Sequence, residues 1–230
     1  PPHSGKISRA IKYSGSTAPK RIIIKILFVI QFLSKLLSYI FHPLLMATWF
    51  LLLLLKTNPF IFAGMPMGVV IAVVFINTFM FPAIAILLMR KLGFIDSLEM
   101  PDHKQRIIPM VATIIFYVWA YLAIKKINFP ALMGTFMMGS LASLFIAFLI
   151  NVFSKISLHM VGVSGVLAAM LFLVIVSPTN IGYYLIGIIL LTGAIASARL
   201  YLGAHTAKEV YTGFLVGIFG QILGLILYHL

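Results

Sequence analysis

The sequence predicts an all-α, polytopic membrane protein, a bundle of about 6 to 8 transmembrane helices. Three observations carry this. The chain is 62% hydrophobic with a mean hydropathy of +1.14, where a soluble domain is nearer half apolar. Several apolar runs approach the roughly 20 residues that a bilayer-spanning helix needs. The runs are continuous rather than alternating, which argues against a closed β-barrel. The 230 residues suit one bundle domain, taken as 22–230 behind a polar tail at 1–21. Cysteine is absent, so there is neither a disulfide framework nor thiol chemistry. The net charge of +13 comes from 17 basic and 4 acidic residues scattered among apolar segments. Anionic headgroups and the positive-inside rule account for such scatter, and nucleic acid is not an expected partner.

Taken in order, residues 1–20 carry Lys6, Arg9, Lys12 and Lys20, with Arg21 beside them, and read as a basic tail over a lipid surface. Residues 22–40 are apolar but place Gln31, Ser34, Lys35 and Ser38 on one helical face. They are long enough to span and amphipathic enough to lie at the interface, and both readings stay open. No small-residue cleavage site follows, so no cleaved signal is read. His42-Pro43 breaks the chain and starts a membrane helix over 44–55, with Pro43 in its first turn. Lys56 to Pro66 is a turn, and 67–89 is a span with a kink expected at Pro82. Arg90 to Pro109 is polar and holds Asp96, Glu99, Asp102, His103, Lys104 and Arg106; a solvated loop is its default reading. Spans follow at 107–123 and 131–150, the latter with Gly134 and Gly139 as small packing residues. Another span ends near Ser177, ahead of the turn Ser177-Pro178-Thr179-Asn180. The last two cover 181–198 and 209–229.

Even numbers of crossings separate Lys104/Arg106, Lys155–His159 and Arg199–Glu209. All four acids, His103, His159, His205 and these cations therefore share one membrane face. The opposite loops hold only Lys56, Lys125 and Lys126. Ionisable groups gathered at one end of an apolar bundle point to a site. His205 and Glu209 lie i, i+4 on one helical face, a spacing at which a carboxylate can fix an imidazole tautomer. Arg199 adds a forked cation suited to phosphate. A capping and snorkelling cluster at a helix start is the plain alternative. His42, His103, His3 and His229 read as interfacial, loop or terminal residues, and no spacing demands a metal at His159, His205 and Glu209.

These residues resemble the type 2 phosphatidic acid phosphatase (lipid phosphate phosphatase) superfamily, over roughly residues 100–217. That family carries K-x6-R-P, P-S-G-H and S-R-x5-H-x3-D. Arg199, His205 and Glu209 reproduce the third spacing within RLYLGAH, with Glu in place of Asp and Ala198 in place of Ser. The second is matched by Ser157 and His159 in KISLH, with Ile156 and Leu158 where Pro and Gly are usual. The first is represented only by Lys104 and Arg106 ahead of Pro109, without the family spacing. The resemblance implies that His205 is a nucleophile forming a phosphohistidine, that Glu209 orients it, and that His159 protonates the leaving alcohol. It implies a phosphate clamp of Arg199, Ser157, Lys104 and Arg106. It implies no metal and no other cofactor, with arginine and lysine supplying the positive charge. The expected substrate is a lipid phosphate monoester or diphosphate: phosphatidic acid, phosphatidylglycerophosphate, an isoprenyl diphosphate or a lipid A type. A phosphotransferase on the same scaffold, or a non-catalytic protein binding or transporting an anionic lipid, are the alternatives. If 22–40 spans, the positive-inside rule puts the basic tail inside and the site outside; if it only lies on the surface, the rule points the site inward. Resemblance to bacterial members of the family favours an inner-membrane protein with its site on the outer face.

Overall fold

The computed structural model describes residues 17–100, 102–127, 129–177 and 180–228. The tail before Thr17, His3, His229 and the Pro178-Thr179 part of the expected turn lie outside these residues.

Eight helices and no strand make up the described chain, an all-α membrane bundle. Helix α1 runs Thr17–Ile40, starting before the boundary expected at residue 22. A 3₁₀ turn at Pro43–Leu45 leads into α2, Met46–Thr57. Next come α3 (Met67–Lys91), a 3₁₀ turn at Lys104–Arg106 and α4 (Ile107–Lys126). Helices α5 (Ala131–Phe153), α6 (Leu158–Val176), α7 (Gly182–Tyr201) and α8 (Ala207–Tyr228) complete the chain. Among the described residues, seven helical segments are long and apolar enough to cross a membrane; Pro43–Thr57 is shorter.

The local chemistry explains the irregular places. Pro82 lacks an N–H, and the helix accommodates it by widening into a π-helical turn at Ile76–Met80. Asn77 Nδ2 donates to the Val73 carbonyl at 2.7 Å and Thr78 Oγ1 to that of Val74 at 2.9 Å, giving partners to backbone oxygens near the irregular turn. The polar stripe of α1 divides. Ser34 and Ser38 are buried, while Gln31 and Lys35 are exposed.

Between apolar helices in lipid, association depends on close packing more than on the hydrophobic effect. Helix α8 shows how. Gly213, Gly217, Gly220 and Gly224 form a stripe along it that meets backbone and small side chains of α5 and α6. A Cβ at Gly213 would stand 2.5 Å from the Ser157 carbonyl oxygen. One at Gly217 would overlap Ser164 Oγ, and one at Gly224 would overlap the backbone at Gly139. Phe50 of α2 stacks on Phe136 of α5 with centroids 4.1 Å apart in the core. At one end of the bundle Ser177 Oγ donates to Asn58 Oδ1 at 2.9 Å. The other end gathers the N-terminal ends of α4, α6 and α8 with the C-terminal ends of α1 and α7, and there the ionisable residues meet.

Candidate active site

The α7–α8 corner presents the central pair. Gly203 takes the left-handed backbone (φ 62°) that ends α7. The Gly203 and Ala204 amides donate to the carbonyls of Leu200 and Arg199 at 3.0 and 3.2 Å. Thr206 then caps α8, its Oγ1 accepting from the Glu209 amide at 3.3 Å. The run Thr206-Ala207-Lys208-Glu209 has the form of a capping box, yet the Glu209 carboxylate turns to the ring of His205, with Nδ1 to Oε2 at 2.6 Å. A carboxylate can only accept, so Nδ1 carries the proton and Nε2 holds the lone pair. The His205 side chain is 2% exposed.

Three cations surround this pair. Arg199 is half-buried near the end of α7, its Nη1 donating to Ser38 Oγ at 3.3 Å while its Nε has no hydrogen-bond partner. Arg106 at the start of α4 donates from Nε to the Met100 carbonyl at 2.8 Å and from Nη1 to that of Ile156 at 3.2 Å. Lys155 donates from Nζ to the carbonyl of Ala204, next to His205, at 2.9 Å. Burial first, opposed by the hydrogen bond that Nδ1 donates to Glu209, and then these three cations bring the His205 imidazole from 6.5 down to about 4. The ring is thus neutral near pH 7. Burial and the two arginines, opposed by Glu209, also lower Lys155.

Helix α6 supplies the opposite wall. Ser157 is fully buried at its N-cap, its amide donating to the Glu209 carbonyl at 3.3 Å and its Oγ left without a partner. This backbone bond ties the start of α6 to the first turn of α8. His159 donates from Nε2 to the Ser38 carbonyl at 3.0 Å, so Nδ1 is its remaining nitrogen. Its ring packs edge-on against His42, centroids 5.6 Å apart.

The structure therefore brings together His205, Glu209, His159, Arg199, Ser157 and Arg106. It leaves out Lys104, whose side chain is exposed and whose amide bonds Asp102. The ammonium near His205 belongs to Lys155 instead. Lys155, Ser38 and His42 also stand at the site, outside the residues expected to form it. The even crossings put Lys155 on this face and the His42-Pro43 break marks a corner of the chain, but no spacing in the sequence ties Ser38 or His42 to His159. Among the described residues, no three of His, Asp and Glu come together in a way that could hold a metal ion. Below the pair of histidines, an apolar cavity of about 270 Å³ opens between α2, α6 and α7, lined by Met46, Trp49, Val163, Ile188 and Leu191 among others. Met46 and Val163 each stand one turn along from His42 and His159.

Comparisons with family models, with curated proteins and with solved structures find no match for this chain.

Proposed function

We propose that this protein is a membrane phosphatase that hydrolyses a lipid phosphate through a phosphohistidine on His205. The observation that carries the reading is the His205–Glu209 pair, its imidazole buried and its carboxylate half-buried, held at 2.6 Å under three cations with donors to spare. Arg199, Arg106 and Lys155 face a single carboxylate. A half-buried cluster with two positive charges in excess calls for a dianion, and a phosphoryl group supplies it. The unpartnered Ser157 hydroxyl and Arg199 Nε are donors of the kind that equatorial phosphate oxygens use. The apolar cavity beneath His42 and His159 supports a substrate whose leaving group carries a hydrocarbon chain.

The chemistry balances without further reagents. The Nε2 lone pair of His205 attacks phosphorus, an N–P bond forms, and the ester P–O bond breaks with its electron pair going to the leaving oxygen. His159, protonated at Nδ1, gives that oxygen its proton. Water then attacks the phosphohistidine, His159 takes the proton, and cleavage of the N–P bond frees inorganic phosphate. Glu209 accepts from Nδ1–H throughout and stabilises the positive ring of the intermediate. The cations neutralise the three equatorial oxygens. We place the protein in a bacterial inner membrane with the site on the outer face, the basic approach to α1 lying inside.

Phosphate release by detergent-purified protein tests this, with phosphatidic acid, phosphatidylglycerophosphate, and undecaprenyl phosphate and diphosphate as substrates, in EDTA. Release that disappears in His205→Ala and His159→Ala supports the reading. Undiminished release in His205→Ala overturns it.

A further inference from the structure

We propose that His42, in the corner between α1 and α2, is a positioning residue of this site: with Ser38 it sets the orientation in which His159 meets a substrate. The inference rests on the role given to His159 above. His42 lies far from the other site residues in sequence, and three observations tie it to them.

The first is the ring pair. His42 and His159 meet edge to face at an interplanar angle of 79°. The second is what holds the other side of His159. Its Nε2 donates to the carbonyl of Ser38, one turn before His42 on the same stretch of chain. Ser38 also accepts from Arg199 through its hydroxyl, which itself donates to the Ser34 carbonyl at 2.8 Å. One short segment of chain thus contacts both His159 and the guanidinium beside it. The third is that a cap alone does not account for a histidine. His42 Nδ1 accepts the Leu44 amide at the N-cap of the Pro43–Leu45 turn, at 3.4 Å. Ser, Asp or Asn would serve a cap better.

The groups facing this pair are few. Arg199 acts on His42, and Arg199, His42 and His205 act on His159. Burial and Arg199 bring His42 from 6.5 to about 4, so near neutral pH it is an uncharged ring whose Nε2–H remains to donate. A neutral ring here lets His159 sit beside it without adding a further positive charge next to Arg199.

Two substitutions separate the roles of His42. His42→Asn keeps an acceptor for the Leu44 amide and removes the ring. His42→Phe keeps an aromatic edge and removes both nitrogens. Each is compared with wild type in detergent by kcat and KM on phosphatidic acid, and by the imidazole 1H–13C NMR signal of His159, assigned from its loss in His159→Gln. The expected result is a fall in kcat of about tenfold in both, with KM within about twofold, and a displaced His159 signal in both. A cap role predicts that Asn behaves as wild type, and a packing role predicts that Phe does; either result overturns the proposal. If wild-type protein releases no phosphate from any lipid, the phosphatase reading fails, and the His159 signal alone decides this inference. An undisplaced signal in both variants refutes it.

Discussion

Two sets of influences pull His205 in opposite directions, and its behaviour follows from which set wins. Glu209 favours the charged ring, while burial with Arg199, Arg106 and Lys155 favours the neutral ring; the second set prevails and the value falls to about 4. A neutral imidazole with Nδ1–H on a carboxylate is a nucleophile at Nε2, whereas an imidazolium is not. Glu209→Gln should therefore lower phosphate release by on the order of 10² to 10⁴, since an amide can present its N–H and select the wrong tautomer. The backbone bond from Ser157 to the Glu209 carbonyl does not involve the altered side chain, so folding should persist. A Glu209→Gln protein with wild-type turnover would remove Glu209 from the mechanism. The same shift has a consequence for stability. His205 and His42 each titrate near 6.5 when unfolded and about 4 when folded. Between those values the unfolded chain binds more protons, so stability falls as pH drops through the window and is fully present above 6.5. The thermal midpoint in detergent should decline from pH 7 to pH 4.5, and His42→Asn should make the decline shallower; a midpoint independent of pH would contradict the buried, neutral histidines.

At the scale of the helix, the site depends on how near α8 comes to α6. Gly213 and Gly217 let their backbones touch, and this is what brings Glu209 against Ser157. A Val at 217 drives its Cβ into Ser164 Oγ and the Val161 carbonyl, both on α6 and fixed by their own helix. Gly217→Val should destabilise the protein by roughly 1–3 kcal/mol and lower activity along with it. Gly187, on the outer part of α7, has nothing within 4 Å of a built Cβ, so Gly187→Ala should be close to neutral in both respects. Thermal melts and phosphate release on the two variants check this, and equal effects would show that the stripe does not position the site. Helix existence and order were legible in the sequence, because long apolar runs separated by Pro, Gly and charge leave little choice of element. The His205–Glu209 contact was legible from its spacing, although His205 stands just before the Thr206 cap and not on the helical face expected of it; the cap, together with Glu209 in the first turn of α8, brings the two together. His42 and Ser38 were not. They reach His159 and Arg199 across more than a hundred residues of sequence, and no local spacing encodes a contact between α1 and the far ends of α6 and α7. Lys104 was misplaced for a similar reason: two positions from Arg106 on a tight 3₁₀ turn, it points to solvent while Arg106 is buried.

At the scale of the whole molecule, the crossings put every group of the site at one end. Asp102, Lys155 and Lys208 belong to that end, and Lys56, Lys125 and Lys126 belong to the end where Asn58 meets Ser177. Such a division can be measured directly because the native chain has no cysteine, so each introduced thiol reports alone. Single cysteines at Asp102 and Lys208, both exposed and outside the pocket's contacts, should react with a membrane-impermeant maleimide from the same side. Cysteines at Lys56 and Lys125, also exposed, should react only after the membrane is opened. In intact cells the proposed outward-facing site predicts that the first pair labels from outside. Labelling of all four from one side would break the even-crossing topology. The reverse pattern would keep the topology and turn the site to the cytoplasm, which would make an α1 lying along the membrane surface the arrangement consistent with its basic N-terminal end.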